Sequence, residues 1–439
     1  MANRRTFLKQ SAMALPGLTA FGRTHSLENI SPNSDNSSSV APLSGLSRLP
    51  SFHLGDETYW DAVRQLYALS NSRIYMNTGG LGPVSFPVLE RFRELTTDLQ
   101  TRSETGHQHI ENARIPVSKF VGAKPEEIAF TRNATEGNAT IASGMRLKAG
   151  DEIIIDASAH PGGAIPWLNQ LKARGIVIKT FEPNAETSSE ILNRISSLIS
   201  PRTRVIGVSH ITAPTGILLP VKQIAELAHS KDCWFHIDGA QSLGMLPINL
   251  REIGCDSFAS SGHKWLGAMH GTGILFIRED RLGDILPTEI GAYSDAEYSL
   301  PSTFEYIPTA RRHESGTRNA PLVNSVQNAC SFLENIGLQR IRERGLELTG
   351  ELRKGLERIS NIEILTPKQN DIRASMLTFR SSKMTFSDLN RRLTSEHQLR
   401  LRIVTEQDLN AIRVSLHIFN TMEQVETVVN AVGEVLANP

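Results

Sequence analysis

The alternation of short apolar runs with amphipathic segments constrains the fold of this 439-residue chain more than any other feature. Apolar runs of three or four residues occur at 153–155, 205–208 and 234–237. Segments with helical periodicity lie between or beside them, at 190–199 and 221–230. Strands that alternate with helices over this length form α/β units with a mainly parallel sheet. Residues 271–278 predict one further strand.

The last third of the chain has a different pattern, which predicts a second domain. Helical periodicity runs through 323–336 and 338–359, and Gly337 between them favours a helix end. Strand-like pieces follow at 376–380 and 411–416, before a final helix at 422–436. We therefore predict a large α/β domain over residues 52–320 and a smaller C-terminal α/β domain over residues 321–439.

Composition excludes several classes of function. Lys plus Arg equals Asp plus Glu, at 46 each, so charge gives no argument for binding nucleic acid. The sequence has no apolar run of about 18 residues, so membrane insertion is not expected. The three cysteines lack the CxxC spacing of a metal site, and no metal is predicted.

The first residues predict a signal rather than part of the fold. "NRRTFLK", with Arg4 and Arg5 before Phe7, resembles a twin-arginine export signal, and a short apolar stretch follows it. The alternative is a basic helix start in a cytosolic protein. We predict a signal over residues 1–25, a flexible Ser/Asn/Pro-rich linker over 26–51, and export of the folded protein to the periplasm.

Candidate reactive residues follow the predicted strands directly. Asp238 follows the run 234–237, His210 and Thr212 follow 205–208, and His160 follows 153–155. Ligands of an open parallel sheet bind at the carboxyl ends of its strands. Lys264 comes 26 positions after Asp238, among small and apolar residues without a nearby carboxylate.

The chemistry of these residue types suggests a carbonyl-containing cofactor. A desolvated lysine has a lowered pKa, and its neutral amine is a nucleophile toward aldehydes. An acid at a strand end could keep a pyridinium nitrogen protonated. Taken singly, Asp238 could be a helix N-cap, Lys264 a surface lysine, and His263 a core histidine.

Several separated motifs together resemble the class V aminotransferase family of pyridoxal-phosphate (PLP) enzymes. The longest is "FHIDGAQSLGMLPINLREIGCDSFASSGHKWLGAMHGTGILFIRED", residues 235–280. The resemblance extends from "YMNTGGLGP" at 75–83 to "IRVSLHIFNT" at 412–421, and "SHITAPTGILLPV" at 209–221 is typical of the isopenicillin N epimerase-like branch. It implies the fold-type I PLP-dependent transferase fold, with a large mixed but mainly parallel sheet.

The resemblance implies roles around the cofactor ring. Lys264 would form the covalent link to the cofactor and then move the proton at the substrate Cα. Asp238 would pair with the pyridine nitrogen, and His160 would stack on the ring. Many family members have asparagine where this chain has Ala213. The contact to the ring oxygen would then come from Thr212, Gln241 or water.

The resemblance also implies phosphate and substrate contacts. The residues it places at the phosphate are Ala134, Thr135, Glu136, Ser261 and His263. A helix N-terminus is a natural anion site, which agrees with the first three. Thr317 would reach the phosphate of a neighbouring subunit, which implies a homodimer. Arg413 would bind the substrate α-carboxylate, and Asn77 would be a weaker substrate contact or an ordinary turn residue.

One departure from the family bears on the reaction. Cysteine desulfurases of this family need a nucleophilic cysteine before the C-terminal arginine motif. Residues 400–413 read "RLRIVTEQDLNAIR" and contain no cysteine. Desulfurase activity by that mechanism is therefore not expected.

These observations predict a periplasmic PLP enzyme that acts at Cα of an amino-acid group, on a small-molecule or peptidic substrate. Combined with the export signal, the resemblance implies transamination-type tailoring of the glutamate side chain of a pyoverdine-type siderophore. A general aminotransferase, an epimerase or racemase, and a C–S or Cβ lyase are the alternatives. A catalytically inactive binding protein is a further one, although Lys264, Asp238 and Arg413 are all present.

Overall fold

A computed structural model describes residues 43–438, apart from residues 44, 54, 56, 71 and 186. The predicted signal at 1–25 and the first part of the predicted linker lie outside the described residues. Leu43 is buried, and Leu46 and Leu49 pack against the core. Packing therefore begins earlier than the predicted domain start at residue 52.

The elements of the N-terminal part, in chain order, are α1 (Glu57–Arg64), β1 (Ile74–Tyr75), α2 (Phe86–Arg102), α3 (His107–Phe120), β2 (Ile128–Thr131), α4 (Ala134–Gly144), β3 (Glu152–Asp156), α5 (Pro161–Arg174), β4 (Val177–Phe181), α6 (Ser188–Leu198), β5 (Thr203–Ser209), α7 (Val221–His229), β6 (Trp234–Asp238), α8 (Leu250–Ile253), β7 (Ser257–Ser261) and β8 (Gly273–Ile277). The remaining elements are β9 (Asp295–Ser299), β10 (Thr303–Tyr306), α9 (Ala320–Ile336), α10 (Leu338–Leu356), β11 (Ile362–Ile364), β12 (Met376–Ser381), α11 (Phe386–His397), β13 (Leu399–Arg400), β14 (Arg402–Val404), β15 (Ala411–Ser415) and α12 (Met422–Ala437). Short 3-10 helices occupy Leu46–Arg48, Pro125–Glu127, Glu279–Asp284, Ala310–His313 and Glu406–Asp408.

A seven-stranded mixed sheet forms the centre of the molecule, in the order β2-β8-β7-β6-β5-β3-β4. Strands β4, β3, β5, β6 and β7 run parallel, while β8 is antiparallel to both neighbours. The central strands are covered on both faces, which is why 205–208 and 234–237 read as continuous apolar runs. The predicted α/β fold with a mainly parallel sheet is confirmed.

A second sheet lies in the C-terminal part of the chain, with the order β11-β12-β15-β14 and antiparallel pairing throughout. Its core is a separate apolar cluster that includes residues of α10, α11 and α12. Helix α9 instead packs against α2 and α3 and belongs to the first core. The predicted domain boundary at residue 320 falls at the first residue of α9 and stays a prediction.

The segment after β1 connects the two cores. Strand β1 pairs in parallel with β13, and Met76 is buried in the C-terminal cluster. Asn77 then forms a bridge to Ser415 at the end of β15. This pairing brings the glycine-rich turn at 79–82 toward the carboxyl edge of the large sheet.

The predicted helices of the C-terminal part have nearly the predicted bounds. Helix α9 begins three residues earlier than predicted, because the Asn319 side chain accepts a hydrogen bond from the Leu322 backbone N–H at 3.0 Å. Gly337 ends it with φ 98°. None of the described helices is long and apolar enough to span a bilayer.

Candidate active site

A cavity of about 300 Å³ lies at the carboxyl edge of the large sheet. The residues that line it are Gly79, Gly80, Asn133, Ala134, Thr135, Asn138, His160, Gly162, Ala213, Asp238, Ala240, Gln241, Ser261, His263, Lys264, Arg402 and Arg413. Nine of the predicted site residues are among them. Strand ends, the first turn of α4 and the β15 strand of the C-terminal sheet all contribute to this one cavity.

Lys264 lies in the turn that follows β7. The Gly82 backbone N–H donates to the carbonyl of His263 at 2.8 Å, and a side chain at Gly82 would collide with the Lys264 carbonyl. The glycine-rich turn therefore fixes the lysine backbone by a close approach that only glycine permits. Within the described part of the chain, no carboxylate forms an ion pair with the Lys264 ammonium.

The environment of Lys264 favours its neutral amine. Burial lowers the pKa of Lys264 to about 8, opposed by the charge of Asp238 and assisted by the charges of Arg413 and Arg402. The side chain is partly exposed, and it lines the cavity. At pH 7 about a tenth of the amine is thus neutral and able to act as a nucleophile, far more than for an ordinary lysine.

Asp238, at the end of β6, is held by two hydrogen bonds. Its Oδ1 accepts the Ala240 backbone N–H at 3.0 Å, and its Oδ2 accepts the Asn138 side-chain N–H at 2.9 Å. Gly163 lies so close that an added Cβ would be 2.8 Å from Oδ2. The carboxylate is therefore fixed in orientation while it remains part of the cavity wall.

The first turn of α4 forms another wall of the cavity. Asn133 caps this helix, because its side-chain oxygen accepts the Glu136 backbone N–H at 3.0 Å. The Ala134 backbone N–H donates to the Ser261 hydroxyl at 3.0 Å. The buried Nδ1 of His263 has no hydrogen-bond partner among the described residues. A helix N-terminus and an unpaired imidazole nitrogen at one wall fit a phosphate group.

The structure places Glu136 and Thr317 outside the cavity that contains Lys264. Glu136 does not line this cavity; its backbone N–H is used by the Asn133 cap, and its carboxylate pairs with Arg132. Glu136 and Thr317 both line a neighbouring cavity of about 330 Å³. The homodimer, in which Thr317 would act on a partner's site, stays a prediction.

Arg413, on β15, is buried and has no carboxylate partner within the described residues. Its Nη1 donates to the Ala213 carbonyl at 2.6 Å, and its Nη2 donates to the Asn77 side-chain oxygen at 3.1 Å. Burial lowers its pKa to about 9, with a further decrease from Arg402, so the guanidinium is still charged at neutral pH. A buried cation held only by neutral oxygens is suited to binding an anion.

Asn77 and Thr212 lie beside the cavity but do not line it. Asn77 holds the Arg413 guanidinium and does not itself line the cavity. Thr212 is fully buried. Its hydroxyl forms a hydrogen bond with the Thr215 hydroxyl at 2.8 Å and accepts one from the Ile217 backbone N–H at 2.9 Å. Thr212 thus stabilises the turn, and its position does not support a direct contact with the cofactor ring.

Gln241 and His160 both have defined orientations at the cavity. The Gln241 amide donates to the Gly79 carbonyl at 2.9 Å, and its oxygen accepts the Trp265 indole N–H at 2.7 Å. His160 caps α5, with its Nδ1 accepting the Gly162 backbone N–H at 3.1 Å. Burial, followed by the charge of Lys264, lowers the pKa of His160. In the neutral ring the proton is therefore on Nε2.

Asn138 and Arg402 are among the cavity residues that sequence reasoning missed. Asn138 lies one helical turn after Ala134 and thus on the same face of α4, so the spacing alone could have identified it. Arg402 on β14 is the direct cross-strand partner of Arg413, and it pairs with Glu406. This register could be known only after the pairing of β14 with β15.

The comparisons with known proteins agree with this geometry. The model of the family "Aminotransferase class-V" matches residues 92–428. Isopenicillin N epimerase of Amycolatopsis lactamdurans is 28% identical over 397 residues, which cover 86% of this chain and 98% of the epimerase. The apo structure of a cysteine desulfurase from Thermococcus onnurineus NA1 has a TM-score of 0.78 at 25% identity, over 86% of this chain and 98% of that one. A mutant of C-DES with glycine covalently linked to its PLP cofactor has a TM-score of 0.77 at 23% identity, over 84% and 99% of the two chains.

The chain belongs to the class V aminotransferase family. It is an enzyme of the fold-type I group, and its cofactor is pyridoxal 5′-phosphate. Bound in the cavity, this cofactor supplies an aldehyde for covalent attachment and a ring that withdraws electron density from the substrate Cα. Lys264, Asp238 and the first turn of α4 meet the three requirements of an amine, an acid and an anion site.

The lowered pKa of Lys264 predicts that this residue destabilises the cofactor-free protein. Below pH 8 the Lys264 amine is protonated in both the folded and the unfolded chain, so the full free-energy cost of burying its charge destabilises the folded state. Between pH 8 and 10.5 the amine is deprotonated in the folded protein but still protonated in the unfolded chain, so this free-energy cost declines as the pH rises. Replacing Lys264→Met should raise the free energy of unfolding at pH 7 by roughly 2–3 kcal/mol, with a smaller gain toward pH 10.5.

Urea unfolding of the cofactor-free protein at several pH values measures this effect. The exposed Lys222 on α7 provides the matched control, since Lys222→Met should change the free energy by less than about 0.5 kcal/mol. A Lys264→Met protein that is less stable than the wild type at pH 7 would contradict the assignment of a desolvated amine.

Proposed function

We propose that this enzyme carries out a transamination-type reaction at Cα of a terminal glutamate group on a pyoverdine-type siderophore, in the periplasm. The observation that carries the reaction class is the placement of the Arg413 guanidinium in the same cavity as Lys264 and Asp238. A buried cation that no described carboxylate neutralises supports binding of a substrate α-carboxylate. Binding there would leave the Cα of the amino acid beside the lysine amine.

The hydrogen bonds of His160 support transamination over epimerisation. Epimerisation needs a second base that delivers a proton to the face opposite Lys264. Because His160 Nδ1 accepts from the Gly162 N–H, its Nε2 carries the proton in the neutral ring and cannot accept another. Lys264 is then the group whose pKa and position suit removal of a proton from the substrate Cα and its return to a different atom.

The cysteines argue against a desulfurase, although a cysteine desulfurase is among the similar structures. All three cysteines of the chain are buried, and none of them lines the cavity. Burial raises the pKa of Cys233 and Cys255, and raises that of Cys330 as well, which disfavours the reactive thiolate. An elimination reaction without an enzyme thiol remains the alternative to transamination.

The choice of substrate rests on sequence evidence outside the described residues. The "NRRTFLK" segment resembles a signal for export of folded proteins, which suits an enzyme that acquires its cofactor in the cytoplasm. An exported enzyme encounters few free metabolites at high concentration, so a secreted amino-acid derivative is a suitable substrate. The relationship to isopenicillin N epimerase is consistent with such a substrate.

Mass spectrometry of a glutamyl siderophore precursor tests this proposal. The purified mature protein, with pyridoxal phosphate and a keto-acid acceptor, should convert the terminal amino group to a keto group. Free glutamate should react more slowly. An unchanged precursor together with rapid turnover of simple amino acids would contradict the proposal and favour a general aminotransferase.

Three variants serve as controls in this assay. Lys264→Ala should abolish turnover, because no other described amine lines the cavity. Arg413→Ala should raise KM about 30-fold or more, which corresponds to roughly 2 kcal/mol for a truncated charge pair. The KM of Arg413→Lys should lie between those of the wild type and Arg413→Ala. An unchanged KM for Arg413→Ala would show that another group binds the carboxylate.

Export is tested separately by cell fractionation. Replacing Arg4→Lys together with Arg5→Lys keeps the charge of the segment but removes the arginine pair. The full-length protein should then remain in the cytoplasm, whereas the wild type reaches the periplasm. Equal amounts of both proteins in the periplasm would exclude twin-arginine export.

A further inference from the structure

A chain of side-chain hydrogen bonds runs from the cavity into the core of the large domain. Asp238 Oδ2 accepts from Asn138 Nδ2 at 2.9 Å, and Asn138 Oδ1 lies 2.9 Å from His236 Nε2. His236 Nδ1 lies 2.8 Å from the Ser257 hydroxyl, which accepts from the Trp234 indole N–H at 2.9 Å. Five side chains thus form one continuous path that ends on the carboxylate.

The chemistry of these groups fixes the direction of every hydrogen bond. The Asn138 amide nitrogen donates to both Asp238 and the Gly162 carbonyl, so the Asn138 oxygen must accept. His236 therefore carries its proton on Nε2, and the neutral ring accepts the Ser257 hydroxyl at Nδ1. Burial lowers the pKa of His236 to about 4, which keeps the ring neutral at pH 7. Every donor in the chain points toward Asp238.

The backbone geometry places these groups side by side. Trp234, His236 and Asp238 alternate along β6 and thus face the same side of the sheet. Ser257 is the direct cross-strand partner of His236 on β7, and α4, which carries Asn138, packs over β7. The other residues of β6, such as Phe235 and Ile237, are apolar and fully buried.

Burial of this chain needs an explanation beyond packing. Asn138, His236, Ser257 and Trp234 are each at most 2% exposed. Buried polar side chains are costly unless they are hydrogen-bonded, and apolar residues of similar size pack at least as well. Aligned hydrogen bonds polarise one another, so the last N–H of the chain is a stronger donor to a carboxylate than an isolated amide.

We propose that Asn138 and His236 are positioning residues that hold Asp238 as a carboxylate directed at the pyridine nitrogen of the cofactor. The inference rests on the assignment of a PLP site but not on the identity of the substrate. Neither residue needs to touch the reacting atoms. Asn138 fixes the orientation of the carboxylate, and His236 fixes the orientation of the Asn138 amide.

Selective binding of the ring nitrogen tests this inference without measuring turnover. Cofactor-free protein is titrated with pyridoxal phosphate and with its 1-deaza analogue, which has carbon in place of the ring nitrogen. The wild type should prefer pyridoxal phosphate. His236→Leu should reduce the ratio of the two dissociation constants about tenfold, as expected for loss of support to one charge-assisted hydrogen bond. His236→Gln, which keeps an amide donor for Asn138, should restore part of the ratio.

His210 provides the matched control. It is also a buried histidine, its pKa is also lowered by burial, and it lies outside the chain of hydrogen bonds. His210→Leu should leave the ratio of dissociation constants unchanged. A His236→Leu protein that binds both compounds more weakly by the same factor would show a merely structural role and overturn the inference. If the wild type binds neither compound, the assignment of the cofactor fails first.

A smaller change covers the case in which His236→Leu does not fold. Ser257→Ala removes only the hydroxyl that donates to His236 and should lower the ratio by about threefold. In addition, nitrogen chemical shifts of ¹⁵N-histidine-labelled, cofactor-free protein report the protonation of His236 directly. The neutral ring with its proton on Nε2 is expected. A proton on Nδ1 would reverse the direction of the chain and overturn the inference.

Discussion

The Lys264 amine has no anionic partner at ion-pair distance among the described residues, and the rest of the site depends on this constraint. Lys264 loses hydration in the cavity, and the charge of Asp238 only partly compensates for this loss. The fold keeps the lysine in place through its backbone, by the close approach of Gly82 and the hydrogen bond from that glycine to the His263 carbonyl. A covalent bond between the lysine amine and an aldehyde removes the need for a counter-ion. The arrangement that destabilises the cofactor-free protein therefore favours attachment of the cofactor.

Side chains from both the large sheet and the C-terminal sheet line the cavity that contains Lys264. The large sheet contributes Asp238, while the C-terminal sheet contributes Arg413 and Arg402. The segment after β1 connects them, since Asn77 holds the Arg413 guanidinium and Gly79 accepts the Gln241 amide. In the proposed function, substrate binding by the C-terminal part and cofactor binding by the large sheet therefore both depend on one short turn. The same separation suits an enzyme family in which the substrate varies while the cofactor is constant.

The sequence predicted what depends on local pattern and missed what depends on pairing in three dimensions. The strand before Asp238 was predictable, because buried parallel strands favour apolar runs. Glu136 and Thr212 were placed in the cofactor site by resemblance, but a helix cap and a turn use their polar groups. Arg402 could be assigned to the cavity only once its cross-strand pairing with Arg413 was known. The spacing of Asn138 from Ala134 could have identified it as a cavity residue, but its partners His236 and Asp238 are about 100 positions away and became known only from the fold.

The most direct test of the central claim is chemical labelling of the lysine that carries the cofactor. Borohydride reduction of the purified protein with pyridoxal phosphate makes the link between amine and cofactor permanent, and peptide mass spectrometry then locates it. We expect a single modified residue, Lys264, in the peptide that contains "SSGHKWLGAMHG". A modification on another lysine, or no modification after saturation with the cofactor, would contradict it.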